Sequence, residues 1–476
     1  MVLRAINPFN ERPLREYRKH SPSEVRAKLQ AAQNAARTWR EVSMADRADL
    51  MRSTAAVLRR HLADHATLMT SEMGKPIVAA EGEIEKCAAC CEHFARHTEE
   101  YLAPETIATD ALRSGVRYEP LGAVLAIMPW NFPFWQVFRF AAPALMAGNV
   151  GLLKHAPNVP GCALAIEAIF REAGFPAGVF TSLLIDTQAI EAIIRDPIIR
   201  AVTLTGSERA GRSVAAIAGS ALKKTVLELG GSDPFIVLAD ADPLAAAKAA
   251  VAARTINAGQ SCIAAKRFIV VGKNLAFEEA FAAALSAIKI GDPLDRQTEM
   301  GPLARLDLLQ NLHQQVQDSL ALGATLIIGG HRLPRPGYFY APTLLADVRP
   351  GMPAFDDETF GPVAALIHAD DTDHAIDLAN ATRFGLGASI WTHDVPAAES
   401  RTVPRIEAGA VFINGPVKSD PRLPFGGIKQ SGYGRELSAA GIREFVNIKT
   451  LWAAAPTPTG ETLHHGETEN TEKMLE

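Results

Sequence analysis

The sequence predicts an α/β protein made of two domains, each with a parallel sheet covered by helices on both faces. From about residue 117, short apolar runs alternate with helical segments, which is the pattern of a buried parallel sheet. A chain of 476 residues is also too long for one ordinary hydrophobic core. The alternation restarts after Glu228-Leu229-Gly230-Gly231, so we place the domain boundary near Gly231.

Four successive helices are expected before the first buried strand, over residues 22 to about 100. At the other end of the chain, the polar segment 454–476 predicts a disordered tail. The elements between are strand-like runs at 124–128, 150–153, 179–185, 201–204, 235–238, 268–271, 326–328, 363–367 and 389–391, with helices at 160–173, 190–195, 208–218 and 243–258.

The composition excludes several functional classes. A net charge of −5, with acids and bases interspersed, predicts no nucleic-acid or anionic-membrane surface. The longest apolar stretch, 141–153, is too short to span a bilayer, and the N-terminus lacks a secretory signal, so a cytoplasmic protein is expected. Five cysteines are too few for a disulfide framework. The group Cys87-x-x-Cys90-Cys91 has no second ligand pair at zinc spacing, which favours a structural role and no metal.

Cys262 is the candidate nucleophile. It lies on a short connector between a helical run and a strand, where a rigid scaffold can present a side chain to a substrate. A thiol attacks only as the thiolate, which needs a favourable local field. The alternative is an inert buried cysteine, the commoner role of this residue type.

Polar side chains follow the predicted strand that ends at Met128. Asn131 is placed to donate an amide N–H to a developing oxyanion. If a helix begins after Pro133, Trp135 and Arg139 lie one turn apart on one face. Arg139 suits either a substrate carboxylate or a structural ion pair.

Two glutamates stand at strand ends. Glu228 ends one strand, where partial burial would raise its pKa toward the range of a general base. Glu358 precedes another strand and suits hydrogen bonds from a ribose, with Phe360 packing nearby. Both residues are therefore candidates for the site.

An anion site is predicted where strands end near Lys154 and Ser207. Gly206 allows a tight turn, and Ser207 is a good cap for a helix whose free N–H groups suit a phosphate. Lys154 follows a strand and can reach a ribose or a phosphate. The alternatives are an ordinary capped helix and a solvated lysine, because the glycine pattern of the usual dinucleotide motif is incomplete.

Together these segments resemble the aldehyde dehydrogenase superfamily from about residue 7 to residue 452. The resemblance implies Rossmann-like domains, one for the cofactor at 1–101 and 121–231 and a catalytic one at 232–438. It also implies oligomerisation segments at 102–120 and 439–453, which form a homodimer or homotetramer. The segments that carry it are 129–133, 204–207, 228–231, 259–262, 358–362 and 424–427.

The resemblance further implies a role for each site residue. Cys262 is the nucleophile, Glu228 the base, and Asn131 forms an oxyanion hole with the backbone N–H of Cys262. Glu436 matches a position sometimes assigned to proton relay. The residues implied in cofactor binding are Met128, Pro129, Trp130, Lys154, His155, Pro157, Gly206, Ser207, Leu229, Gly230, Glu358 and Phe360.

Segments 134–139, 154–158 and 230–235 are similar to bacterial succinate-semialdehyde dehydrogenases. This implies oxidation of succinate semialdehyde, with Arg139 on its carboxylate, Trp135 lining the tunnel and Ser419 as a second donor. Pro157 stands where NAD-preferring relatives often carry a glutamate, so use of both NADP and NAD is expected. The alternatives are a dehydrogenase for neutral aldehydes and a non-catalytic relative.

Overall fold

The computed structural model describes residues 2–456, which fold into two α/β domains and a small third sheet. The predicted fold class is therefore confirmed. Within this range, no helix is both long and apolar enough to cross a membrane. The predicted tail, 454–476, lies outside the described residues apart from its first three positions.

The first sheet forms the core of the N-terminal domain and has six strands. Five of them run parallel, and the central ones are fully buried because both faces of the sheet are covered. The sixth strand, Gly432–Tyr433, comes from the region predicted as the catalytic domain and runs antiparallel to the edge strand Lys224–Glu228. In spatial order the strands are Gly432–Tyr433, Lys224–Glu228, Ile199–Thr205, Ala123–Met128, Val150–His155 and Phe180–Ser182.

All four helices predicted before the first buried strand are present. Ser21 caps the first by accepting the N–H of Glu24, whose carboxylate accepts the N–H of Ser21 in return. Gly74, at φ 82°, ends the third. The helices of this domain are Pro22–Trp39, Met44–Arg60, Leu62–Met73, Ile77–Tyr101, Trp135–Met146, Pro160–Glu172, Ile190–Arg195 and Glu208–Ser220, with a 3-10 turn at Thr187–Ala189.

The second sheet forms the core of the other domain and has seven strands, of which one edge strand is antiparallel. In spatial order they are Thr325–Ile328, Thr343–Ala346, Val363–Ala369, Arg267–Val271, Pro234–Val237, Gly387–Trp391 and Ala410–Ile413. The helical segments from this half of the chain are Pro243–Thr255, Ile256–Gly259, Leu275–Ser286, Leu306–Ala321, Pro353–Asp356, Thr372–Asn380, Val395–Ala397, Ala398–Thr402, Val403–Arg405, Ser438–Ile442 and Arg443–Phe445.

The segments predicted to mediate oligomerisation, 102–120 and 439–453, pair with each other in the third sheet. Val446–Ala453 runs antiparallel to Arg113–Pro120, and Glu105–Thr106 joins the other side of that strand. Ile448 and Trp452 are 62% and 54% exposed, so the sheet presents apolar side chains on its surface. A role between subunits stays a prediction.

Two small antiparallel pairs complete the described strands. Val2–Ile6 forms a hairpin with Pro13–Arg18 at the N-terminus, and Phe384–Gly385 pairs with the distant Ile428–Lys429. The second pair ties the segment before the last parallel strands to the segment that returns to the first sheet. The two domains are therefore joined both near Gly231 and through this returning chain.

The three clustered cysteines lie on the helix Ile77–Tyr101. Cys87, Cys90 and Cys91 are fully buried, and burial raises the pKa of Cys90 to about 12. They pack among apolar side chains of the core. This placement agrees with the structural interpretation of their spacing.

Candidate active site

A cavity of about 390 Å³ lies at the carboxyl ends of the central strands of the first sheet, facing the loop that carries Cys262. Parallel sheets bind ligands at this edge. The wall contains the predicted nucleophile, the predicted oxyanion donor and all but one of the predicted cofactor residues. Its members are Met128, Pro129, Trp130, Asn131, Lys154, Ala156, Pro157, Thr205, Gly206, Ser207, Leu229, Gly230, Cys262, Arg305, Leu308, Glu358 and Phe360.

The chain enters the Cys262 loop through three consecutive residues with left-handed backbone. Asn257, Ala258 and Gly259 have φ values of 52°, 55° and 76°. Such conformations cost energy in residues other than glycine and persist only where surrounding contacts hold them. Here Arg254 donates to the carbonyl of Gly259 at 2.8 Å, and the Asn257 side chain donates to the carbonyl of Asn131 at 2.7 Å.

The loop then folds around the ammonium group of Lys266, which is completely buried. The Nζ atom of Lys266 donates to the carbonyl oxygens of Ser261, Cys262 and Ala264 at 3.0–3.1 Å. These three hydrogen bonds use all three ammonium protons. They fix the backbone on both sides of the thiol and so determine where Cys262 stands.

Cys262 is 8% exposed and reaches the cavity wall. Burial, with the negative charge of Glu228 adding to it, raises the pKa of its thiol to about 12. The free protein therefore holds the protonated thiol at neutral pH. Attack on a substrate needs a nearby base to remove that proton.

Asn131 stands beside Cys262 on the cavity wall and is 4% exposed. One amide proton is donated to the carbonyl of Gln260 at 3.1 Å, which ties the side chain to the Cys262 loop. An amide group has two N–H donors, so the second is free to serve a ligand in the cavity. The arrangement suits stabilisation of negative charge on an oxygen bound next to Cys262.

Glu228 ends its strand behind Cys262 and is 1% exposed. The segment that follows Glu228 passes close to the Cys262 loop. A Cβ atom added to Gly231 would lie only 2.6 Å from the carbonyl oxygen of Cys262. Burial raises the pKa of Glu228 to about 8, with the charge of Glu436 adding to the rise and Arg139 opposing it. A carboxylate with that pKa is a competent base near neutral pH.

Arg139 is paired with acids inside the protein. It is 1% exposed and forms an ion pair with Glu436, while its Nη2 atom lies 3.7 Å from Glu228. Phe425 lies under its guanidinium, 4.6 Å from the Cζ atom to the ring centre. Burial raises the pKa of both flanking acids, so they are not both held charged beside this cation at neutral pH. The geometry shows the ion pair that the sequence offered as the alternative, and a substrate role for Arg139 stays a prediction.

The wall opposite Asn131 is suited to a phosphate. Ser207 caps the helix Glu208–Ser220 by accepting the N–H of Ala210 at 3.3 Å, so the positive end of that helix lies at the cavity. Lys154 was expected just after a strand that ends at 153, but the strand continues to His155 and includes Lys154, and burial lowers the pKa of its ammonium group. The N-terminal end of this helix and the ammonium group of Lys154 together give the wall a positive potential that favours binding of an anion.

The far end of the cavity has an acid and two aromatic rings. Glu358 accepts the N–H of Gly231 at 3.0 Å, and burial raises its pKa against the opposing charge of Lys266. The rings of Trp130 and Phe360 meet edge to face, 5.8 Å between centres. A carboxylate beside flat apolar surfaces suits a sugar hydroxyl next to an aromatic base.

His155 is the one predicted cofactor residue that does not line the cavity. Its Nε2 atom lies 2.9 Å from the carbonyl oxygen of Pro133, and its Nδ1 atom accepts the N–H of Ala156 at 2.9 Å. Burial lowers its pKa to about 4, so the ring is neutral. The structure corrects the prediction: His155 holds the loop after Met128 in place from behind the wall.

Trp135 and Ser419 meet each other, but away from the cofactor wall. The indole N–H of Trp135 donates to the hydroxyl of Ser419 at 3.1 Å. The same hydroxyl accepts a hydrogen bond from Lys86 at 2.8 Å. Lys86 was not identified from the sequence, although a lysine directly before the buried Cys87 on a helix is a signal that was available.

Lys266 was also missed. The sequence could have pointed to it, because this lysine stands between the Cys262 loop and an apolar strand, where a solvated side chain is not expected.

Residues 2–451 match the family model described as the aldehyde dehydrogenase family. The chain belongs to the aldehyde dehydrogenase family.

Several members of this family are similar over nearly the whole chain. A protein of Synechocystis sp. named "Probable succinate-semialdehyde dehydrogenase [NADP(+)]" is 53% identical over 455 residues, 95% of this chain and 100% of that protein. A Mycobacterium bovis succinate-semialdehyde dehydrogenase [NADP(+)] is 50% identical, covering 95% and 100%. The structure of succinic semialdehyde dehydrogenase from Streptococcus pyogenes in complex with NADP+ has a TM-score of 0.93 at 36% identity, covering 95% and 100%.

The left-handed entry to the Cys262 loop predicts that Gly259→Ala is more harmful than an equal change elsewhere. A Cβ at Gly259 would lie 2.2 Å from the backbone oxygen of Gly361. Gly272 has almost the same φ, 71° against 76°, with nothing near its Cβ position. We expect both alanine variants to lose about 1 kcal/mol or more to backbone strain, and G259A a further 1–3 kcal/mol to overlap.

Thermal unfolding midpoints of the two variants measure this difference, because Gly272→Ala controls for strain alone. Dehydrogenase activity of the folded G259A protein should fall as well, since the backbone of Cys262 would shift. Equal midpoints for the two variants would show that the close contact with Gly361 is unimportant.

Proposed function

We propose that this chain oxidises succinate semialdehyde to succinate with NADP+ through a thioester on Cys262. The observation that carries the proposal is a single cavity in which Cys262 and Asn131 face an anion-attracting wall, with Glu228 buried behind the thiol. The relatives at 53% and 50% identity are named as NADP+-dependent succinate-semialdehyde dehydrogenases, which supports the substrate and the cofactor.

The first step joins the thiol to the aldehyde. Glu228, whose pKa burial raises to about 8, accepts the proton of Cys262, and the sulfur forms a bond to the aldehyde carbon. The carbonyl electron pair moves to oxygen, where the side chain of Asn131 and the backbone N–H of Cys262 stabilise the negative charge. This step converts a protonated, unreactive thiol into a nucleophile only when substrate is present.

Oxidation and hydrolysis complete the cycle. NADP+ bound in the cavity would accept the hydride from the former aldehyde carbon, which leaves an acyl group on Cys262. Glu228 first releases to solvent the proton it took from Cys262, and then takes a proton from water as the hydroxide oxygen bonds to the acyl carbon and the carbon–sulfur bond breaks. Glu228 returns this proton to the Cys262 thiolate, and succinate leaves after losing its own acid proton to solvent.

The residues of the cavity fit NADP+. Lys154 faces the cavity, and among residues 2–456 its ammonium group makes no salt bridge within 4.0 Å. A 2′-phosphate is a suitable partner for such a cation. The helix end at Ser207 would hold the pyrophosphate, and Glu358 would hold a ribose. Pro157 supplies no acid near Lys154, and Asp186, the acid whose charge reaches Lys154, is paired with Lys19.

The engagement of Arg139 by Glu436 favours a second candidate, a dehydrogenase for neutral aldehydes. If Arg139 keeps these internal partners when substrate binds, it does not serve a substrate carboxylate. The relative activity on charged and neutral aldehydes separates the two candidates.

A panel of aldehydes tests the proposed function. With NADP+, we expect kcat/KM for succinate semialdehyde to exceed that for pentanal, a neutral aldehyde of similar length, by about 10- to 100-fold, the worth of one charge-assisted interaction. Reduced-cofactor absorbance gives the rates, and Cys262→Ala serves as the inactive control. A higher value for pentanal would favour the neutral-aldehyde alternative, and no turnover of any aldehyde would exclude both.

The environment of Pro157 predicts use of NADP and tolerance of NAD. Pro157→Glu would place a carboxylate where the 2′-phosphate is expected, and we predict that it lowers the NADP-to-NAD ratio of kcat/KM by at least about tenfold. Pro157→Gln, which is the same size without the charge, should change the ratio by less than about threefold. Equal effects of the two variants would contradict a phosphate at this position, as would strict NAD use by the unaltered protein.

A further inference from the structure

A buried ion pair lies beside the loop that carries Asn131. Lys75, in the turn after the helix Leu62–Met73, pairs with Glu83 on the helix Ile77–Tyr101. Lys75 is 1% exposed and Glu83 is 4% exposed. Burying two charges costs desolvation energy, and apolar side chains of similar volume often replace such a pair without loss of stability. Stability alone therefore does not account for this pair.

Glu83 holds the start of the helix that follows the Asn131 loop. One oxygen of its carboxylate accepts the backbone N–H groups of Phe134 and Trp135, each at 2.9 Å. N–H groups at a helix start have no partner inside the helix, and the side chain of Phe134 has no acceptor that could cap them. A carboxylate from another helix therefore fixes where the helix Trp135–Met146 begins.

Lys75 holds the loop itself. Its Nζ atom lies 3.7 Å from the centre of the Phe132 ring, which is a cation–π contact. Phe132 directly follows Asn131, and its carbonyl oxygen accepts the N–H of Gln136 at 3.0 Å in the first turn of the helix. The ion pair thus contacts the chain immediately after Asn131 through both its side-chain ring and its backbone.

The other side of the loop is held by the segment that leads to Cys262. The side chain of Asn257 donates to the carbonyl of Asn131 at 2.7 Å, and the side chain of Asn131 donates to the carbonyl of Gln260 at 3.1 Å. The amide group of Asn131 therefore stands between two anchors. Its place matters, because a displacement of about 1 Å in a reacting geometry can cost about 100-fold in rate.

We propose that Lys75 and Glu83 are positioning residues that act through Asn131, by holding its amide group where it stabilises the oxyanion. Neither residue belongs to the cavity wall, so neither touches substrate or cofactor. The inference rests on the proposed function, in which Asn131 stabilises the charge that forms when Cys262 attacks the aldehyde. It concerns a step common to all aldehydes and does not depend on which aldehyde is the substrate.

Removal of the cation tests this role. Lys75→Met keeps most of the length of the side chain and removes the charge beside the Phe132 ring. With saturating NADP+, we expect kcat/KM for succinate semialdehyde and for pentanal to fall by the same factor, about 10- to 100-fold. The KM for NADP+ should change by less than about threefold, because the pair does not line the cofactor wall.

The same change in an Asn131→Ala background separates positioning from a structural role. If Lys75 acts only through the Asn131 amide, K75M should lower kcat/KM there by less than about twofold, because residues that act as a unit are not additive. A merely structural role predicts the same factor in both backgrounds. Thermal unfolding midpoints should fall equally in the two backgrounds, since the contacts of Lys75 do not involve the Asn131 amide.

Glu72 provides a matched control for Glu83. It is 1% exposed and accepts two backbone N–H groups at the start of the helix Pro160–Glu172, at 2.9 and 3.0 Å. We expect Glu83→Gln to lower kcat/KM for both aldehydes by about tenfold or more, because Lys75 then lacks its acid, and Glu72→Gln to lower it by less than about threefold.

Several outcomes would overturn the proposal. They are an unchanged kcat/KM in K75M, the same factor of loss with and without Asn131, and a loss in E72Q as large as in E83Q. If K75M does not fold, the double variant Lys75→Met with Glu83→Gln, which leaves neither charge of the pair, carries the same comparison of backgrounds. Failure of the proposed function is visible separately, because N131A would then keep full activity or the unaltered protein would oxidise neither aldehyde, and the Lys75 proposal would fall with it.

Discussion

The burial of Glu228 beside Cys262 is the constraint on which the rest of the site depends. A carboxylate that is 1% exposed cannot be held fully charged without cost, so burial raises its pKa to about 8. The same dry surroundings raise the pKa of the thiol to about 12. Acid and thiol thus share one low-dielectric space, and the proton of Cys262 has a suitable acceptor when a substrate arrives.

The surrounding structure holds this pair in position. Arg139 lies between Glu228 and Glu436 and keeps two buried acids from repelling each other without compensation. A buried ion pair of this kind is costly to break, because removing one member leaves the other unpaired. On the other side, Lys266 fixes the backbone at Cys262 through three carbonyl oxygens. The nucleophile is therefore positioned by two internal cations, which contact the cavity wall from behind, Lys266 at Cys262 and Glu358 and Arg139 at Thr205.

The sequence predicted the fold and much of the cavity because the relevant signals are local. Apolar runs marked the strands, and Asn131, Glu228 and Ser207 each stand at or just beyond the end of a strand, where a parallel sheet collects its ligands. Cys262 stood on a connector between a helix and a strand, and the structure has it there. These placements needed only the order of elements along the chain.

Pairing between distant segments could not be predicted in the same way. Arg139 suited two roles equally in the sequence, and only the fold shows that Glu436 lies against it. His155 stands next to Lys154 in a strand, and successive strand residues point to opposite faces, so one lines the cavity and the other does not. Lys86 escaped notice because its partner Ser419 lies 333 residues away.

The pH dependence of Cys262 alkylation by iodoacetamide tests most directly whether Glu228 is the base for this thiol. Since the base is the deprotonated form, reactivity should rise as pH increases through about 8 and be lost below it. Glu228→Gln should abolish that rise and lower the rate near pH 9 by about tenfold or more, leaving only the thiol's own ionisation at higher pH. Peptide mass spectrometry separates Cys262 from the four other, fully buried cysteines. A profile of E228Q that superimposes on that of the unaltered protein would contradict the account.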